Sequence, residues 1–286
     1  MIRKSFKIDN RVISDKSLPL IIGEIGQAHN GSIEKAFNFI DKIKENGGDA
    51  AKFQLHLASE ESTLDEPFRI KIKKFKNRYS YWESVEFSTE EWFKISNYCK
   101  KKKIIFLSSV FSRKGVDILT KVKTSAWKVA SGEFRSDELI QDMMKTKLPI
   151  LFSTGMMNFN EIKNLHIKLN KNSIRHAIFQ CTSNYPVKLK DTGLNIISEL
   201  REKFNCQIGY SDHSGLLSPS LMALTLKASL IEVHLKLNKN DQGPDASSSL
   251  NFNEFKNLCK IRNEIFLVNK NPVNKNIIKR DIHVMR

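Results

Sequence analysis

Short apolar runs alternate with longer amphipathic stretches along almost the whole chain. The runs lie at Leu20–Ile25, Ala50–Leu55, Ile104–Ser109, Ala126–Ala130, Ile150–Ser153, His176–Gln180, Gln207–Tyr210 and Leu230–Leu235. Helical periodicity marks the segments between them, for example Ile33–Lys44, Thr89–Lys101, Ser136–Lys145, Glu161–Leu169 and Leu194–Phe204, and Asn253–Val268 follows the last run. A strand apolar on both faces must be covered on both faces, which a parallel sheet wrapped in helices achieves. Gly47-Gly48 and Pro149 fall where helix returns to strand. Eight such units in 286 residues predict closure into a (β/α)8 TIM barrel, an α/β fold of about this size. No Gly-x-Gly-x-x-Gly follows the first run, which argues against a dinucleotide-binding sheet. The expected boundaries are an N-terminal extension over 1–17, the barrel over 18–268, and a polar, basic extension or linker over 269–286.

The net charge of +16 raises nucleic acid or an acidic membrane as a partner. The lysines, however, are spread over helix-like stretches such as Lys71–Lys76 and Lys100–Lys103, without interleaved stacking aromatics. They are expected to be a solvated surface, with no nucleic-acid and no membrane partner. The polar N-terminus lacks the apolar region of a secretion signal, and no apolar run is long enough to span a bilayer. Cys99, Cys181, Cys206 and Cys259 form no Cys-x-x-Cys pair, so reduced thiols and a cytoplasmic protein are expected.

Parallel barrels place their chemistry at the carboxyl ends of the strands. Here those ends carry Glu24; Lys52 and Gln54; Ser108 and Ser109; Lys128, Ser131 and Glu133; Ser153 and Thr154; Cys181 to Tyr185; Ser211, Asp212 and His213; and His234. His213 and His234 end the last two runs, where two imidazoles could share a divalent metal and leave positions open for water and substrate. Lys52 and Lys128 interrupt apolar strands, and a buried ammonium needs an anion beside it. A phosphate or carboxylate ligand would serve; a nucleophilic, Schiff-base lysine is the competing role. The long connection His56–Ser88, rich in charge and aromatics, is expected to cover a substrate at the catalytic face.

Several stretches resemble the sialic acid synthase family, N-acetylneuraminate synthase and its relatives, over roughly residues 18–268. They are Glu24–Gly31 (EIGQAHNG), Ala51–Gln54, Lys128–Glu133, Ser153–Met156, Cys181–Pro186, Gly209–Gly215, Ile231–His234 and Gly243–Asp245. The resemblance implies a (β/α)8 barrel that condenses phosphoenolpyruvate with an open-chain amino-sugar aldehyde. It makes His213 and His234 the ligands of Mn²⁺ or Mg²⁺, with Glu24 beside the metal as a further catalytic residue. Lys52, Lys128, Ser131, Ser153, Asn184 and Ser211 match positions that hold phosphoenolpyruvate. Gln54, Glu133, Tyr185 and Asp245 match the sugar-facing set. A homodimer is implied as well.

Three departures stand out. Ala246, not His, follows Gly243-Pro-Asp245. Val233-His-Leu-Lys-Leu237 replaces the usual Lys-His-Phe-Thr-Leu. The chain also stops where most relatives continue into an antifreeze-like cap, so a separate cap protein is a candidate partner. Outside this reading stand a related 3-deoxy acid synthase, an aldolase using Lys128, and a catalytically impaired barrel that binds partners in surface-glycan synthesis.

Overall fold

A computed structural model describes residues 3–68, 72, 74–238, 241 and 243–274. A hairpin of β1 (Phe6–Ile8) and β2 (Arg11–Ile13) precedes eight parallel strands. These are β3 (Leu20–Gly26), β4 (Ala50–Leu55), β5 (Ile105–Val110), β6 (Trp127–Val129), β7 (Ile150–Ser153), β8 (His176–Gln180), β9 (Gln207–Asp212) and β10 (Leu230–Leu235). They pair in sequence order, and β10 pairs with both β9 and β3, so the sheet closes on itself as the (β/α)8 TIM barrel expected. A short β11 (Ser249–Leu250) adds to β10 with His234 opposite Ser249.

An outer layer is formed by α1 (Ile33–Glu45), α4 (Thr89–Lys102), α5 (Arg113–Lys121), α6 (Asp137–Lys145), α7 (Phe159–Lys171), α8 (Asn195–Lys203), α9 (Leu217–Thr225) and α10 (Phe252–Lys270), while the short α2 (Ala58–Glu61) and α3 (Arg78–Val85) lie in the connection from β4 to α4. Their starts are legible in the chain. Ser88 with Glu91, Asn158 with Glu161 and Asn251 with Glu254 form capping boxes that satisfy otherwise unpaired first-turn amides. The connection from His56 to Ser88 is not structureless, because it contains α2 and α3; residues 69–71 and 73 lie outside the described residues. The last helix runs to Lys270, past the expected boundary at 268, and 275–286 also lie outside the described residues. Among the described residues no helix is long and apolar enough to cross a membrane. All four cysteines are free and buried.

Side chains alternate across a strand, so each strand has a face toward the lumen and a face toward the helices. The lower lumen is apolar: Leu20, Ile22, Ala50, Leu107, Ala126, Leu151, Ala177, Phe179 and Leu230 pack as one cluster. Phe6, Ile8 and Ile13 of the hairpin join that cluster, so residues read as an extension fill the amino-terminal end of the barrel. Gly209 leaves room for the Phe179 ring, whose atoms would stand 2.8 Å from any Cβ there. Phe179 in turn lies under the Lys128 ammonium, 4.9 Å from ring centroid to Nζ.

Candidate active site

Above the apolar layers the lumen turns polar, and strand register decides which groups meet. His234 lies opposite Glu24, and Glu24 opposite Lys52, while Glu232 lies opposite Ser211. The register shifts between Glu24 and Gly26, and Gly26 (φ 52°) turns the chain out of the barrel with the left-handed backbone that glycine accepts most readily.

Two carboxylates and two lysines form the floor. Lys52 Nζ is 2.7 Å from Glu24 Oε2 and 3.6 Å from Glu232 Oε1. Lys128 Nζ is 3.3 Å from Glu232 Oε1 and donates to Ser153 Oγ at 2.6 Å. Gln54 Nε2 donates to Glu24 Oε1 at 2.8 Å, and Ser211 Oγ donates to Glu232 Oε1 at 2.9 Å. All four charged groups are buried. Burial raises the Glu24 carboxyl, Lys52 opposes that, Glu232 adds to it, and the balance stands at about 7. Burial would raise Glu232 too, but Lys128 and Lys52 outweigh it and hold this carboxyl well below its ordinary value. Glu232 is therefore the ionised partner that both lysines share.

His213 Nδ1 lies 2.8 Å from the Thr182 carbonyl. Donation there puts the Nε2 lone pair toward the lumen, where Tyr185 Oη approaches to 3.2 Å. Tyr185 stacks on His213 with centroids 4.2 Å apart and meets His234 edge-on at 5.8 Å; the two imidazoles are 5.5 Å apart. His234 Nδ1 is 3.8 Å from Asp245 Oδ2. The donor set fits a divalent cation. It offers two imidazoles, one of them held in a fixed tautomer by a backbone carbonyl, and Glu232 Oε2, a buried carboxylate oxygen with no hydrogen-bond partner among the described residues. A separate trio, His166, His176 and Cys206, brings its donor atoms within 4.8 Å of one another on the outside of the barrel. There, His166 Nδ1 and His176 Nε2 are 2.8 Å apart and Asn170 Nδ2 meets His166 Nε2 at 2.9 Å, which is a hydrogen-bonded chain.

An inner chamber of about 50 Å³ is lined by Glu24, Lys52, Gln54, Lys128, Ser131, Ser153, Tyr185, Ser211, His213 and His234, ten of the residues singled out in the sequence. Glu133 and Asp245 line a wider cavity of about 630 Å³ that shares Gln54, Phe111, Ala130 and Tyr185 with the chamber. Asn184 is exposed and lines neither. The ring of polar strand ends is thinner than expected, because alternation turns every second residue outward. Thr154 Oγ1 bonds the Phe179 carbonyl, and Asp212 binds Ser214 N and Ser220 Oγ. Glu232 is the residue to which no role was given. Its signal was period two: in Leu230–Leu235 it shares the lumen face with His234.

Burial also pulls buried imidazoles down, to about 3 at His29 and His213 and to about 4 at His176, from an ordinary 6.5. The unfolded chain thus binds more protons on these rings between roughly pH 6.5 and 4, and stability falls as pH drops through that window. Glu24 and Asp212, raised chiefly by burial, work in the opposite direction. The rings that lose protons on folding, His166 among them, outweigh the two carboxyls, so the net change from pH 6.5 to 5 is a loss of stability. Urea midpoints of metal-free protein should fall accordingly, and a midpoint that rose on acidification would contradict the neutral rings.

The NeuB family model matches residues 39–272, most of the chain. The chain is a member of the NeuB family. It is 33% identical over 247 residues to the N,N'-diacetyllegionaminic acid synthase of Campylobacter jejuni, a match covering 84% of this chain and 74% of that one. It is 30% identical over 254 residues to the N-acetylneuraminate-9-phosphate synthase of Mus musculus, covering 87% and 71%. The crystal structure of an N-acetylneuraminic acid synthetase from Leptospira borgpetersenii, in complex with citrate, superposes with a TM-score of 0.85 at 22% identity. That match covers 99% of this chain and 95% of the other, and shows the shared fold. Named NeuB relatives are nonulosonic acid synthases, and this chain is an enzyme of that kind.

Proposed function

We infer that this NeuB barrel condenses phosphoenolpyruvate with an N-acylated, N-acetylmannosamine-like amino-sugar aldehyde. The products are a sialic acid or related nonulosonic acid and inorganic phosphate. The observation that carries this reading is the buried Lys52–Glu24, Glu232–Lys128 floor: two cations at the closed end of a well, ready to receive an anionic reactant. Lys52 and Lys128, with the Ser131, Ser153 and Ser211 hydroxyls, would hold its phosphate and carboxylate, and Asn184 would join them on the family pattern. Gln54, Glu133, Tyr185 and Asp245 would face the sugar, accepting from and donating to its hydroxyls.

C3 of the enolpyruvate attacks the aldehyde carbon, and positive character develops at C2. Water adds at C2 and phosphate departs with its bridging oxygen, breaking the C–O bond. Glu24, whose carboxyl stands at about 7, can take or give a proton at neutral pH and orient the water. His213 and His234 would hold Mn²⁺ or Mg²⁺, which supplies Lewis-acid polarisation of the aldehyde oxygen. Tyr185, stacked on His213, fixes the ring that would carry that ion. Exposed Met156, Leu189 and Leu216, on three successive loops at the mouth, support a homodimer or a cap protein as cover.

The test is phosphate release from phosphoenolpyruvate across a panel of N-acylhexosamines, with and without Mn²⁺ or Mg²⁺. Release that requires both sugar and metal is expected; none with any pair would sink the assignment. Burial lowers the Lys128 amine, which is the observation favouring a Schiff-base aldolase. Borohydride trapping in the same assay separates the two, since only an imine leaves an adduct on Lys128.

A further inference from the structure

Gln54 lines both the inner chamber and the cavity above it, and both ends of its amide are held. Its Nε2 donates to Glu24 Oε1 at 2.8 Å, and His56 Nε2 meets its Oε1 at 3.3 Å. The other imidazole nitrogen, Nδ1, is 2.7 Å from Glu61 Oε2. Glu61 reaches back to His56 because Ala58–Glu61 forms a single helical turn, closed by Leu57 N donating to Glu61 Oε1 at 2.9 Å. Trp82 and Phe111 stack on the two faces of the ring, each with its centroid 4.1 Å away. The imidazole is therefore fixed on both faces and at both nitrogens.

A side-chain amide fits its space either way round, because its oxygen and nitrogen are nearly the same size, and only its bonding partners choose. At Gln54 the two choices differ. With Nε2 toward Glu24, the carboxylate receives a hydrogen; reversed, it would face the amide's lone pairs. A carbonyl oxygen only accepts, so the His56 nitrogen that meets Oε1 carries a hydrogen. That donor admits the amide one way round. We propose that His56 is a positioning residue: held by Glu61, Trp82 and Phe111, it fixes the Gln54 amide so that Nε2 steadies the Glu24 carboxylate. The bonding stands by itself, and its consequence for turnover rests on the synthase reading above.

The experiment compares His56→Phe, which keeps a ring between Trp82 and Phe111 but has no donor, with His56→Gln, whose amide N–H can replace the one on Nε2. In the phosphate-release assay His56→Phe should lower kcat by at least about tenfold, the scale for groups that orient a working side chain. KM for phosphoenolpyruvate should stay within about twofold, and His56→Gln should recover kcat to within about threefold of the parent. Added to Gln54→Ala, His56→Phe should cost nothing further, because the two residues act as one unit. Parental kcat in His56→Phe, equal losses in the two variants, or a full further loss beside Gln54→Ala would each overturn the proposal. His56→Leu takes the place of His56→Phe if the larger ring prevents folding. A second readout needs no turnover: solvent exchange of the Gln54 side-chain amide, whose resonance is assigned by its loss in Gln54→Ala. Exchange should be slow in the parent and in His56→Gln, and at least about tenfold faster in His56→Phe. If no sugar supports turnover, the synthase reading falls, and unchanged exchange in His56→Phe overturns this inference separately.

Discussion

Replacing either imidazole, as His213→Ala or His234→Ala, is expected to lower metal-supported turnover by at least about 100-fold while the barrel stays folded. Loss of groups that merely orient metal ligands already costs about 10–100-fold, so loss of a ligand should cost more. Neither ring belongs to the apolar clusters that hold the barrel together. His213 is tied to the scaffold through the Thr182 carbonyl and Tyr185, and truncation leaves both partners beside the chamber rather than in the core. Calorimetric titration with Mn²⁺ should show weakened binding, with an unchanged far-UV circular dichroism spectrum. A variant that kept both metal affinity and full rate would overturn the ligand assignment.

Glu232→Leu should be the most damaging single change to stability. It removes the carboxylate that lies 3.3 Å from Lys128 and 3.6 Å from Lys52, and the acceptor of the Ser211 hydroxyl. Lys52 keeps Glu24, but Lys128 is left as a buried ammonium with only the Ser153 hydroxyl and the Phe179 ring. Breaking a buried pair from one side costs about 3–5 kcal/mol, because the other charge stays in the protein uncompensated. Denaturant unfolding should show a loss of about that size, and millimolar inorganic phosphate should restore part of it by serving as the missing anion. An unmoved unfolding midpoint would mean that Lys128 is not charged in the folded protein.

Most of this architecture was legible because each strand is a short apolar run between helices with readable caps. Leu230–Leu235 and Ala50–Leu55 appear in the structure with the limits expected of them. The floor of the site was half legible. Lys52 and Lys128 stand out as charges inside apolar runs, but what balances them depends on strand register, which binds residues far apart in sequence. Glu232 sits beside Val233 in a strand and resembles a routine polar interruption until β9 and β10 are aligned. The polar strand ends misled in the other direction. Reading Ser108, Thr154 and Asp212 as lining groups ignores that neighbours on a strand face opposite ways. The hairpin was missed because Phe6, Ile8 and Ile13 are isolated apolar residues whose burial arises only from the barrel above them.

That hairpin settles the traffic through the site. With the amino-terminal end filled by Phe6, Ile8 and Ile13, the small chamber is closed below and adjoins the larger cavity above it, with which it shares Gln54, Phe111, Ala130 and Tyr185. Among the described residues the barrel is a well closed at its amino-terminal end, and whatever fills the upper compartment lies over the lower. On the synthase reading, the first reactant to descend would be the last whose remains climb out. Bulk solvent would then be kept from the reacting carbons by the second reactant's own body.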